Sequence, residues 1–338
     1  MKRRILAGPA VALFSITCAC SRLEAQEFSF LAGAMNTPDV TPNGNGYSWQ
    51  IDYRHGLYRN VEVSLAWINE GHVLGHHRDG NAVELWYRLP FFENRFRLSF
   101  GAGPYYYYDT QPVPGSSTDS VNLHGTAPIL SISAEGEIYN RWFWRAMVNR
   151  INPSAEMKTN TAVVGVGYWL GKESGLPKGN LPGILEGADS GAGGAKNEFT
   201  VFGGWSVVNT LFSEGAWACG AEYRRDIAPN LDGTISYIYE GDPHVVRRSG
   251  AGLQLWPVAK SFGDRFEVGF GIGTYIYIDH KHEPRPDQKI QAALAGLVSP
   301  MVSYRITDDW FVRLIWNRVV TNYSRDSDIW LLGVGYRL

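Results

Sequence analysis

Residues 96–109 read FRLSFGAGPYYYYD. Phe96, Leu98, Phe100, Ala102, Tyr106 and Tyr108 alternate with Arg97, Ser99, Gly101, Gly103, Tyr105, Tyr107 and Asp109. A period of two marks a β-strand with one apolar face. The other face mixes charge, glycine and tyrosine. A soluble sandwich would turn the apolar face inward and leave the polar one in water. The small residues in mid-strand argue for the reverse, because the interior of a narrow barrel has least room there.

The same alternation returns at 266–279, where Phe266, Val268, Phe270, Ile272, Ile276 and Ile278 oppose Glu267, Gly269, Gly271, Gly273, Tyr275, Tyr277 and Asp279. Other landmarks recur in the same order. Glu27-Phe28 returns as Glu198-Phe199, Asn69-Glu70-Gly71 as Tyr239-Glu240-Gly241, and Leu85-Trp86 as Leu255-Trp256. Asn149-Arg150 returns as Asn317-Arg318, and Gly165-Val166-Gly167-Tyr168 as Gly333-Val334-Gly335-Tyr336. The chain is an internal duplication, with a period of roughly 170 residues that is far longer than any solenoid repeat. Its 338 residues fit the two domains that the length prior suggests. The Gly-rich joint 171–197, with Pro177 and Pro182, reads as a periplasmic linker between a first repeat at 26–170 and a second at 198–338.

Eight segments of each half carry strand patterning; in the first they lie near 27–36, 46–56, 60–70, 81–89, 95–109, 126–139, 142–151 and 161–170. Segments of about ten residues span a bilayer when tilted. Glu62, Glu70, Glu84, Arg88, Arg97 and Arg145 all fall on the non-apolar face, three acids against three bases. Charges facing water need no partner, whereas enclosed ones must pair. The expected fold is therefore an all-β transmembrane antiparallel up-and-down barrel. Its interior polar network would comprise Glu62, Glu84, Arg88, Arg97, Arg145, Tyr105 and Tyr107, with Glu240, Tyr275, Tyr277, Asp279 and Arg313 in the second copy.

Composition narrows the class from the other side. With 13% aromatic and only 19% charged residues, the chain lacks the signature of disorder. No run after the N-terminus reaches the ~18 apolar residues of a spanning helix. Lys2, Arg3 and Arg4 followed by the apolar stretch 5–19 read as a signal peptide over residues 1–25. Cys18 and Cys20 lie in it, but Ser15 and Thr17 stand where a lipoprotein signal wants an aliphatic residue. Its removal takes away four basic residues and one acidic one, leaving 27 against 32 and a net charge of −5. No Lys/Arg-rich run survives, so nucleic acid is excluded as a partner. Only Cys219 then remains, and no intramolecular disulfide can form.

The last residues, with Gly333, Tyr336 and Leu338, resemble the C-terminal signal of bacterial outer-membrane β-barrels. Over its whole mature length the chain resembles that class, without falling into a named family of it. The resemblance implies export to the outer membrane of a Gram-negative envelope. It also implies contact with outer-membrane lipid and lipopolysaccharide, and recognition of the final strand by the assembly machinery. Sixteen strands close either as two tandem eight-stranded barrels or as one sixteen-stranded barrel. A first and a closing strand in each half, and bulky inward Trp86 and Trp256, favour two. The wide single barrel would make the protein a porin-like solute channel.

With both termini on the periplasmic side, Glu70, His72, His76, His77, Arg78, Asp79, Asp109 and His124 gather at the outer rim, in loops of the first half. Four of the chain's eight histidines are among them. Such a cluster offers general acid–base chemistry or a cation site, and alternatively is a hydrated loop. In the second copy Asp242, Val246, Arg247 and Ser249 replace His72, His76, His77 and Asp79. Eight-stranded lipid A deacylases and palmitoyl-transferring barrels place Ser and His at the outer face, and this chain resembles them in strand number and rim residues. It lacks their His-x-Ser spacing, and a Gly-x-Ser-x-Gly elbow is also missing. Ser116, Ser117 and Ser120 are loop serines without a defined partner. No phosphate-binding loop, dinucleotide fingerprint or Cys/His zinc pattern occurs, so no cofactor is expected. The readings left open are a structural or passively permeable barrel, a lipid-A-modifying barrel and a channel.

Overall fold

A computed structural model of the chain describes residues 24–40, 43–58, 60–73, 75–113, 120–154, 157–170, 197–210, 212–228, 230–261, 264–282 and 292–338. The expected signal segment, apart from residues 24 and 25, and the joint up to residue 196 lie outside them.

The first half supplies β1 (Glu24–Asn36), β2 (Asn45–Tyr58), β3 (Val61–Val73), β4 (His76–Phe91), β5 (Phe96–Pro112), β6 (Ser120–Tyr139), β7 (Trp142–Ile151) and β8 (Thr159–Trp169). The second supplies β9 (Asn197–Val208), β10 (Gly215–Ala228), β11 (Leu231–Tyr239), β12 (Val246–Ser261), β13 (Phe266–His282), β14 (Ala292–Arg305), β15 (Trp310–Val320) and β16 (Ser327–Arg337). Each set forms its own closed barrel in sequential order. The closing pairs decide the architecture. β1 runs antiparallel to β8, with Ala32 opposite Val164, and β9 runs antiparallel to β16, with Gly203 opposite Leu332. The single sixteen-stranded barrel would instead require β8 to meet β9.

Each barrel is inside out relative to a soluble domain. In the first, Phe30, Leu85, Tyr87, Phe100, Leu130, Ile132, Val148 and Val164 are exposed on the exterior, while Glu27, Asp52, Arg54, Arg97, Glu135 and Arg145 are buried. In the second, Val201, Ile235, Leu253, Ile276, Leu294, Leu314 and Leu332 are exposed, while Glu222, Arg224 and Arg313 are buried. An exterior of this kind is stable against hydrocarbon, and closure satisfies every strand edge there. Among the described residues no helix is long and apolar enough to cross a membrane.

In each barrel, at the end where its first strand begins and its last strand finishes, strands join through tight turns; Phe92, Glu93, Asn94 and Asn140 in the first and Asn230 in the second have positive φ. Trp142 packs edge-on to Tyr168 in the first barrel, and Trp310 to Tyr336 in the second, at 5.2 and 5.1 Å between ring centroids. Exposed Trp142, Trp310 and Tyr336 and half-buried Tyr168 place aromatic residues at this end of the exterior, as expected at one interface of an apolar band.

Small residues make room for the interior. A Cβ on Gly101 would lie 2.7 Å from the Trp86 indole, and one on Gly271 would lie 2.5 Å from Trp256. The mid-strand glycines of the fifth strand thus admit one tryptophan into each barrel.

Candidate functional site

Two polar regions sit at different heights in each barrel. The larger lies toward the terminal end and is a cluster of buried charges. In the first barrel Arg145 donates Nε to Glu135 Oε2 at 2.8 Å, Nη2 to Glu27 Oε2 at 2.5 Å and Nη1 to Asp52 Oδ2 at 3.1 Å. Arg97 bridges Glu27 at 3.0 Å and Glu135 at 2.6 Å. Arg88 pairs with Glu62 at 2.6 Å, and Arg54 with Asp52 at 2.9 Å. Four acids, Glu27, Asp52, Glu62 and Glu135, thus face four bases, Arg54, Arg88, Arg97 and Arg145. The three-against-three set read from the sequence omits Glu27, Asp52, Arg54 and Glu135.

The second barrel reaches the same balance with different residues. Arg313 bridges Glu198 at 2.7 Å and Glu222 at 2.9 Å, as Arg145 bridges Glu27 and Asp52. Arg224 holds Glu222 at 3.1 Å and Asp232 at 3.2 Å. Arg97 is replaced by Glu267, Glu135 by Ser303, Arg88 by Val258 and Trp169 by Arg337. Arg337 pairs with Glu198 at 2.9 Å, and Lys260 with Glu267 at 3.7 Å. Glu198, Glu222, Asp232 and Glu267 therefore meet Arg224, Lys260, Arg313 and Arg337. Individual charges have moved or changed sign while the totals stay equal, as enclosed charges require.

Above each cluster lies an aromatic layer. Trp86 donates Nε1 to Ser64 Oγ at 2.8 Å and stacks on the Arg54 guanidinium, 3.6 Å from its ring; Trp256 donates to Thr234 at 2.9 Å and stacks on Arg224. Both indoles are almost fully buried inside their barrels. Glu84 is buried at this height, and its copy Gln254 donates to Ser299 Oγ at 2.9 Å.

The second polar region is toward the other end. Glu70 Oε1 accepts from Tyr105 at 2.6 Å and its Oε2 from Thr159. Arg78 lies over the Tyr107 ring. In the other copy Ser327 donates to Glu240 Oε2 at 2.6 Å, Tyr275 donates to the Ile238 carbonyl at 3.2 Å, and Arg248 lies over Tyr277. Arg248 Nε also donates to Asp279 Oδ1 at 2.9 Å, and its Nη2 to Tyr323 at 2.6 Å and to the Arg325 carbonyl at 3.0 Å. Tyr323, from the turn 321–326, in turn donates to Asp279. Burial pushes this phenol well above the usual tyrosine range.

The histidine stretch is not the loop that the sequence suggests. β3 continues through His72 to Val73, and β4 begins at His76, so the histidines lie on the ends of a β3–β4 hairpin, with Gly75 at φ +79°. The period-two pattern fades there because strand ends beyond the apolar band carry polar residues on both faces. The hairpin stacks His72 on His77 at 3.7 Å and brings His76 Nδ1 to 2.7 Å from Asp109 Oδ2. Asp109 also accepts from Gln111 at 2.9 Å. Asp79 is buried on β4, and His124, on β6, lies edge-on to Tyr108 at 5.8 Å. Ser116 and Ser117 lie outside the described residues. Among the described residues no group of three or more His, Cys, Asp and Glu is placed to hold a metal ion.

No protein-family model matches the chain, and no curated protein matches it. Solved structures do. The N-terminal β-barrel domain of Pseudomonas aeruginosa OprF is 14% identical, covering 43% of this chain and 98% of that one with a TM-score of 0.34. Neisserial surface protein A (NspA) is 10% identical over 43% of this chain and 96% of that one, TM-score 0.33. The NanC porin is 8% identical over 93% and 100% of the two chains, TM-score 0.24. The likeness is to outer-membrane β-barrel proteins and is one of fold.

Proposed function

We propose that the protein is an integral outer-membrane barrel protein with a structural role, whose twin barrels are closed to solute flow. The observation that carries this reading is the charge-balanced cluster under a tryptophan layer, built in both copies from partly different residues. Ions crossing such a cross-section would have to break several buried pairs at once, each costly to separate. Export by the 1–25 signal, periplasmic placement of the 171–197 joint, and recognition of β16 through Gly333, Tyr336 and Leu338 belong to the same proposal. In it the short turns face the periplasm and the His76–Asp109 end faces outward. The test is planar-bilayer recording of the purified full chain. Membranes with inserted protein that show no stable steps support the closed barrel; steady porin-sized steps overturn it and leave the passive-permeability reading.

A second reading rests on the His76–Asp109 pair, present in one copy only. A carboxylate on Nδ1 fixes an imidazole as a general base, as a lipid-A acyl hydrolase or acyltransferase would use it. Mass spectrometry of lipid A from cells with and without the protein decides it. An unchanged acyl pattern removes the enzyme reading.

A further inference from the structure

The exterior of the first barrel carries a groove of about 580 Å³ across β4 to β7. Its walls are the outward side chains of Leu85, Tyr87, Leu130, Ile132 and Val148, and Ala102 lies at its base. Arg150 closes one end. Arg150 stands eight residues up β7 from Trp142 and its aromatic pair with Tyr168. At ~3.3 Å per residue and a tilt near 40°, eight residues climb roughly 20 Å, close to the far edge of a ~25 Å apolar band. A guanidinium there reaches headgroup level while its stem stays against hydrocarbon.

The duplicate supplies an internal control. Arg150 is opposite Asn160 in the β7–β8 ladder and donates to its Oδ1 at 2.7 Å, a neutral acceptor. At the same place in the second copy Arg318 is opposite Asp328 and pairs with it at 2.7 Å. Two residues matching the groove's lining are also larger there. Ile272 replaces Ala102, and Trp316 replaces Val148 and stacks on Trp330 at 4.8 Å. One copy thus holds its own counter-anion and bulkier side chains at these two places. In the other, Arg150 has no acid partner among the described residues and stands beside a groove of acyl-chain character.

We propose that this face of the first barrel binds one molecule of the outer leaflet's phosphorylated glycolipid, lipid A. An acyl chain would lie over Ala102 and a phosphate would sit on Arg150. The inference rests on the outward orientation of the His76–Asp109 end. Lipid A is preferred to a glycerophospholipid because the cation lies at the end assigned to the outer leaflet.

Native mass spectrometry of the detergent-solubilised full chain with bisphosphorylated lipid A, its dephosphorylated form and phosphatidylglycerol tests the site. Asn160→Asp installs the second copy's counter-anion, and Ala102→Phe fills the groove. Heat-modifiable mobility on SDS gels confirms that each variant is folded. The proposal expects one tightly held lipid A per chain, with retention falling roughly tenfold in Asn160→Asp, about one charge-assisted hydrogen bond. Ala102→Phe and removal of the phosphates should weaken retention to a similar degree. Equal retention by wild type and both variants overturns the site. A preference for phosphatidylglycerol that is still sensitive to Asn160→Asp overturns lipid A as the occupant and implicates the barrel's orientation. A chain without heat-modifiable mobility would instead count against the membrane-barrel reading itself.

Discussion

Replacing Arg145 by methionine keeps much of the side chain's volume and removes one charge from the first barrel's cluster. Arg145 is fully buried and contacts Glu27, Asp52, Glu135 and the Ser29 hydroxyl. Without it four carboxylates face three guanidiniums, and Arg97 and Arg54 must serve acids they now share. Removing one partner of a buried ion pair costs about 3–5 kcal/mol, because the remaining charge stays desolvated. Arg145→Met should therefore lower the stability of the first barrel by about 3–5 kcal/mol. The assay is urea unfolding of the full chain in lipid vesicles, followed by tryptophan fluorescence and by the heat-modifiable band. Adding Glu135→Ser, the residue that the second copy carries at 303, restores three acids against three bases. The double variant should recover at least ~1 kcal/mol as a coupling energy between contacting sites. A single variant within ~1 kcal/mol of wild type, or a double variant no more stable than the single, would show that the cluster is hydrated rather than enclosed.

Further outcomes follow from the same interior. Glu84→Gln puts the second copy's residue into the first barrel and should change stability by less than ~1 kcal/mol, read from the same urea curves. Gly101→Leu drives a side chain into the Trp86 indole; it should cost about 1–3 kcal/mol and shift the tryptophan near-ultraviolet dichroism, as should Gly271→Leu against Trp256. Tyr323→Phe removes the hydroxyl that donates to Asp279 and accepts from Arg248, tying the 321–326 turn to both, and proteolysis within that turn should accelerate. Since the folded-state pKa of this phenol is raised, its tether is fully present below the ordinary tyrosine value of about 10. It is lost as pH rises through the higher folded value, and ultraviolet titration should show wild type holding one more protonated phenol than Tyr323→Phe above pH 10.

Much of the fold was legible because a membrane barrel imposes period-two patterning on every crossing strand, and because the recurring landmarks offered an alignment within one chain. Trp86, Trp256 and the fifth-strand glycines were readable as interior features for that reason. The cluster was read incompletely for a physical reason. Asp52 and Arg54 lie on β2 between Ile51, Tyr53 and His55, where outward aromatic and histidine residues blur the contrast between faces. Glu27 was visible only as a landmark shared with Glu198. Glu135 has no charged copy, since Ser303 takes its place and other substitutions restore the balance. Compensation across strands is invisible in any single strand. The rim was misread as loop because strands leaving the apolar band lose the constraint that makes them recognisable. The contrast between Arg150–Asn160 and Arg318–Asp328 needs the strand register, which only the structure supplies.

Each half closes on itself, and a disulfide engineered between its first and last strands puts that closure to the sharpest test. In a background with Cys219 replaced by serine, Ala32→Cys/Val164→Cys should cross-link, since these outward residues are directly opposite between β1 and β8. Ala32→Cys/Leu332→Cys should not, because Leu332 is opposite Gly203 on β9. Oxidation of the folded chain in vesicles that joins 32 to 164 and spares 32 with 332 is the result expected of two barrels. The opposite pattern would mean one sixteen-stranded barrel and would contradict the account.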